Sequence, residues 1–158
     1  MYLRERIKMS SVNSINVSDR KGISKNNVDK ATLVEGLGLE GDAHAAPGNR
    51  QVSLLALESI KKQKECVKVK KPDFTLNPGD FAENITTEGI DLVSLKIDNT
   101  IKIGETAVLR ISKIGKECHR YCAIYHKIGD CIMPREGIFG EVVVGGEIKV
   151  GDKIVRTR

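Results

Sequence analysis

Apolar and polar positions alternate most clearly over Thr100–Ile111. There Ile101 and Ile103, then Leu109 and Ile111, are separated by polar neighbours on either side of Gly104-Glu105. A period of two marks a half-buried strand, so this stretch predicts a hairpin with a glycine at its turn. The phrase returns at the C-terminus, where Gly145-Gly146 precedes Ile148-Lys149-Val150-Gly151-Asp152, and predicts a second hairpin. The echo of IKIGE in IKVGD is local, since nothing else recurs at a fixed period. Residues 12–21 predict a first strand with Ile15 and Val17 on one face. The following stretch to residue 53 is rich in Gly, Asn and Asp and reads as a long functional loop. Ser53 is a candidate N-cap for a helix from Leu54 to Cys66, with Leu54, Leu57 and Ile60 at helical spacing and lysines crowding its end. Beyond Pro72, Asn77-Pro78-Gly79 and Gly89 predict short strands or turns. The pattern as a whole predicts a mainly β (α+β) chain, an antiparallel sheet or barrel with a few attached helices.

Composition narrows this. The chain has 158 residues, 40% apolar and 30% charged, which fits one globular domain with a real core. That domain is expected over 12–158, with 1–11 a loosely ordered extension. The longest apolar run, Val52–Leu57, is far shorter than the ~20 residues of a membrane-spanning helix. The charged start lacks the apolar stretch of a secretory signal, so a cytoplasmic location is expected. A net charge of +5 is mild, and the run Lys61, Lys62, Lys64, Lys68, Lys70, Lys71 reads as a solvated helix end. With three Tyr, three Phe and no Trp, the chain lacks the aromatic interleaving of a nucleic-acid surface. Its modest positive field suits a small anionic ligand.

Chemistry concentrates in one segment. Three of four cysteines and two of three histidines fall between Cys118 and Cys131. In a reducing compartment, clustered thiols point to metal binding or reactivity rather than to a disulfide framework. If 118–128 is helical, Tyr121, Ile124, Tyr125 and Ile128 form an apolar face, and Cys118, Cys122 and His126 run along its edge. A zinc site would take Cys118, Cys122, His126 and Cys131, although this spacing lacks the tight pairs of structural zinc sites. Packing as small hydrophobes is the plain alternative, and for Cys66 it is the preferred one. Around Cys118, however, Lys116, His119 and Arg120 would stabilise thiolate over thiol, which makes a cysteine nucleophilic.

Three separated motifs carry a resemblance: GDAHAAPGNRQVSLL (41–55), NPGDFAENITTEGID (77–91) and the run from Gly115 to Ile154. In that order they resemble a MOSC domain, the module named for the C-terminal region of molybdenum cofactor sulfurases, and most of all its short stand-alone bacterial type. The resemblance implies a β-barrel core of MOSC type. It also implies binding of a molybdopterin-type cofactor, sulfur carried as a cysteine persulfide, or both. Carried across by motif, the reactive positions are Cys118 and Cys122, with Cys131 shared by the nearest relatives. Without the desulfurase domain of larger relatives, the chain is not expected to use pyridoxal phosphate. Its sulfur would come from a partner cysteine desulfurase, and its other partners would be cofactor-biosynthesis proteins or molybdoenzymes. A sulfur transferase of this kind, a passive cofactor-binding module and a zinc-stabilised structural domain remain the three readings.

The residues fit this chemistry on their own terms. Persulfide exchange needs a thiolate with a pKa near ambient pH, and soft thiolates suit molybdenum. The Gly-rich segment at Asp42 and His44 can bring amides to an anion, and Arg50 offers a bidentate fork. Asn84 can donate and accept toward a pterin edge, and His119 and Arg120 complete the expected cofactor-binding set. The plain alternatives are a turn cap for Asp42 and Asn84, a satisfied loop histidine for His44, and a surface ion pair for Arg50.

Overall fold

The structure, a computed structural model, describes residues 9–70, 76–115 and 132–157, with the backbone alone for 66–70. Eleven strands are found among them: β1 (Ser11–Val17), β2 (Asn26–Val28), β3 (Lys30–Val34), β4 (Gly38–Leu39), β5 (Val52–Ala56), β6 (Ile85–Glu88), β7 (Thr100–Ile103), β8 (Ala107–Ile114), β9 (Ile138–Val144), β10 (Gly146–Lys149) and β11 (Ile154–Arg156). One long helix, Leu57–Lys70, follows β5, and a single helical turn, Met133–Glu136, precedes β9.

Eight strands form one sheet in the order β11-β7-β8-β9-β5-β6-β1-β2, and β10-β3-β4 form a second. The fold is mainly β, as the alternation predicts, but the large sheet is mixed. β5 runs parallel to β6, because the helix carries the chain back between them. No closed barrel is found among the described residues. The two flanks of the large sheet do meet, through an isolated bridge between Ser11 and Lys153 and the bonds Val12 N to Asp152 O and Ile154 N to Ser10 O.

Between the sheets lies a core of aliphatic side chains that includes Ile15, Leu33, Leu54, Ile85, Ile101, Ile103, Leu109, Ile111 and Ile148. A second cluster, Leu55, Ile60, Leu76, Phe81, Ile132, Met133 and Phe139, forms on the other side of β5. β5 is therefore buried on both faces, which is why its sequence, a run apolar but for Ser53, shows no alternation.

That run misled the helix boundary. Ser53 is not an N-cap but the second residue of β5, and the helix begins four residues later at Leu57. A short apolar run bounded by polar residues has no period that separates a buried strand from a helix start. The loop expected after the first strand contains β2, β3 and β4. The first hairpin is present as β7–β8 in register Ile101 to Leu109. The second is not a hairpin: β10 pairs with β3 in the small sheet, while β11 pairs with β7 in the large one. Gly145 and Gly146 allow this change of sheet. A Cβ on Gly145 would meet Leu33 O at 2.7 Å, and Gly146 has φ +158 against the Thr106 side chain.

Candidate functional site

The loop after β4 is pinned at several points to the end of β1, the β3–β4 turn and β9. Ala43 N donates to Ser18 O, Ala46 N to Leu37 O, and the buried Gln51 side chain spans from Gly48 O to Val142 N. The loop thereby presents His44, Asn49 and Arg50 over the edge of β5. Facing it are Lys21 and Gly22, the turn holding Phe81 and Ala82, and Met133 and Phe139. Between them is a cleft of about 460 Å³, within the usual range for small-molecule sites. Its polar lining among the described residues is Lys21, His44, Asn49, Arg50 and Ser53, none of them acidic.

Arg50 and His44 have distinct settings in the wall. The Arg50 guanidinium lies 5.9 Å from the centroid of the Phe139 ring, a cation–π distance, and no described carboxylate pairs with it. His44 is held from behind. Its amide donates to Asp42 Oδ2 at 3.1 Å, and its Nδ1 lies 3.0 Å from the ammonium of Lys25. Lys25 is fully buried along its side chain and contacts Asp42 Oδ1 at 2.6 Å, where Ser18 N also donates at 3.1 Å. Burial alone would raise the Asp42 carboxyl. Hydrogen bonds from His44, Lys25, Asn84 and Ser18 outweigh that and hold it well below the ordinary carboxylate range.

Asn84 lies beneath the cleft rather than in its lining. It is fully buried, its Oδ1 accepts from Ser53 N and Oγ at 3.0 and 3.1 Å, and its Nδ2 donates to Asn16 O. It therefore ties β5 to β6 and β1 and sets the position of Ser53. Beside it, Glu83 is also fully buried. Its Oε1 accepts from Gly79 N at 2.9 Å and Phe81 N at 3.3 Å, and its Oε2 from the Thr86 hydroxyl at 2.9 Å. Burial pushes this carboxyl up to about 7, against those hydrogen bonds. Its amide contacts shape the turn that ends in Ala82, which has the left-handed φ of +61 at the cleft wall.

Of the residues the sequence singles out, His44 and Arg50 are thus brought together in the cleft, with Asp42 behind His44 and Asn84 under Ser53. Cys118, His119, Arg120, Cys122 and Cys131, and with them the four expected zinc ligands, lie outside the described residues. Among the described residues no cluster of ligating side chains could hold a metal. Lys21, Lys25, Phe81, Glu83 and Phe139 are not found by sequence reasoning. Phe81, Glu83 and Phe139 do stand in motifs already marked, whereas a lysine in a polar stretch looks like any solvated lysine.

The chain is thus a mainly β domain of two sheets whose cleft is lined by basic and neutral side chains among the described residues. The family model described as MOSC domain matches residues 40–155, and the chain belongs to that family. Solved structures agree in fold. The YUAD protein from Bacillus subtilis is 19% identical, with a TM-score of 0.68 over 92% of this chain and 94% of that one. YiiM from Geobacillus stearothermophilus is 18% identical, with a TM-score of 0.69 over 94% of this chain and 75% of that one. YiiM from Escherichia coli is 17% identical, with a TM-score of 0.68 over 94% and 70%. No curated protein matches the sequence significantly.

Proposed function

We propose that this chain is a molybdenum-cofactor protein of the cytoplasm. It binds a molybdopterin-type cofactor in the cleft and carries sulfur for that cofactor as a persulfide on Cys118, Cys122 or Cys131. The observation that carries the reading is the convergence of Lys21, His44 and Arg50 on a cleft with no acidic lining residue among the described residues. Such a lining favours a ligand with negative charge and disfavours cations. The donor set fits the group. Arg50 and Lys21 would hold the phosphate, Ser53 and Asn49 offer neutral hydrogen bonds, and Phe81, Met133 and Phe139 give an apolar wall for a ring. When bound, the cofactor supplies a molybdenum centre that accepts sulfur.

Family membership supports placing the sulfur chemistry in the 118–131 segment. So does the position of Met133, two residues beyond Cys131, in the cleft wall. In the persulfide step a cysteine thiolate attacks the terminal sulfur of a desulfurase persulfide. A new S–S bond forms, and the desulfurase cysteine leaves as thiolate. The bridge between Ser11 and Lys153 supports reading the large sheet as a barrel left open beside β2.

The test is intact-protein mass spectrometry after incubation with a cysteine desulfurase and cysteine. The parent is expected to gain a sulfur adduct that one of Cys118→Ala, Cys122→Ala and Cys131→Ala fails to gain. An adduct retained in all three, or none in the parent, removes the carrier role. Tight molybdopterin binding without an adduct would leave the passive-module reading. Stoichiometric zinc by elemental analysis would favour a structural metal site instead.

A further inference from the structure

We propose that Lys25 is a positioning residue that fixes the proton of His44 on Nε2 and so turns this histidine into a neutral hydrogen-bond donor for an oxyanion in the cleft. The inference rests on reading the cleft as an anion site. It adds a residue that never touches the ligand.

A lysine ammonium has three donors and no acceptor. The Lys25 side chain is wholly shielded from water, and its ammonium lies 2.6 Å from Oδ1 of Asp42, a carboxylate held in its charged form. At 3.0 Å from that ammonium, His44 Nδ1 can only accept. Asp42 is the weaker partner of this nitrogen, its Oδ2 lying 3.7 Å from Nδ1 against 3.0 Å for the ammonium and being engaged by the His44 amide. The ring proton therefore sits on Nε2, which has no hydrogen-bond partner among the described residues. His44 lines the cleft, with 28% of its side chain exposed. Without Lys25, Nδ1 would be free to take a proton and turn toward Asp42, leaving Nε2 as an acceptor that repels an oxyanion.

Nitrogen NMR of the full-length protein, with histidine labelled at both ring nitrogens, tests this without ligand. The signals of His44 are picked out from the three histidines by their loss in His44→Gln. The parent is expected to show an unprotonated Nδ1 and a protonated Nε2, and Lys25→Met is expected to lose that pattern. A parent protonated on Nδ1, or on both nitrogens, overturns the proposal even if the variant does not fold. So does an unchanged pattern in Lys25→Met. Binding is then read with inorganic phosphate as the probe. Its affinity should fall about tenfold in Lys25→Met, the loss of one charge-assisted hydrogen bond. The charge-balanced Lys25→Met/Asp42→Asn protein should fall as far. If that double variant binds phosphate like the parent, the lysine acts only as charge, and the positioning role is wrong. Failure of molybdopterin itself to bind would count against the cofactor reading and leave these phosphate and NMR results standing.

Discussion

Two carboxyls a few residues from the cleft are driven in opposite directions, and the difference lies in what each accepts. Asp42 meets an ammonium, while Glu83 meets only backbone amides and a hydroxyl. Burial therefore prevails at Glu83 and raises its carboxyl from 4.5 to about 7. A raised value means that the folded state holds a proton the unfolded state has released. Its stabilising contribution is thus complete below about 4.5 and is lost as pH rises through about 7. Glu83→Gln, which can still accept from Gly79 and Phe81, should flatten the fall in unfolding free energy over that window by on the order of 3 kcal/mol. Urea denaturation at a series of pH values measures it, and an unchanged slope would contradict the assignment. Asp42 has the opposite sign. Its contribution is present above about 3.8 and is lost only as pH falls below that.

At the scale of elements, the cleft depends on two turns that make different demands on glycine. Gly79 has φ +95, and an added Cβ would lie 2.5 Å from Lys25 O and 3.3 Å from Asn16 Cγ. Gly22 has φ +76, but nothing lies within 4 Å of its Cβ position. Gly22→Ala should therefore cost only the backbone term of about 1 kcal/mol. Gly79→Ala adds a clash with rigid backbone and should cost about 3 kcal/mol. Chemical denaturation of the two variants gives the comparison, and equal losses would show that the turn at Gly79 yields. In the central strand, Leu54→Ala should cost about 3 kcal/mol, since the side chain is fully buried between β6 and β9.

The same elements show what a sequence can and cannot tell. Ile101, Ile103, Leu109 and Ile111 alternate because one face of their hairpin is the core, so β7–β8 is legible. β5 shows no alternation because both its faces are covered, and the partners of β10 and β11 are decided by contacts far away in the chain. In the site, His44 and Arg50 stand out by residue type in a Gly-rich stretch. Lys25 and Glu83 act through burial, which comes from packing and not from their neighbours in sequence.

Over the whole molecule, the net charge of +5 and the basic side chains of the cleft act in the same direction on an approaching anion. Phosphate affinity should fall severalfold between roughly 0.01 and 0.15 M salt as the screening length drops from about 30 to 8 Å. A flat dependence, read by calorimetry, would mean that contact hydrogen bonds alone hold the anion. The larger proposal is that a cysteine of the 118–131 segment serves the cofactor bound in this cleft. The direct measurement is iodoacetamide labelling of the native protein, resolved by peptide mass spectrometry for Cys118, Cys122 and Cys131, with and without saturating molybdopterin. The account predicts that at least one of the three reacts rapidly at neutral pH and is protected by the bound cofactor. Three thiols that stay unlabelled until the protein unfolds, or a labelling rate indifferent to the cofactor, would contradict it.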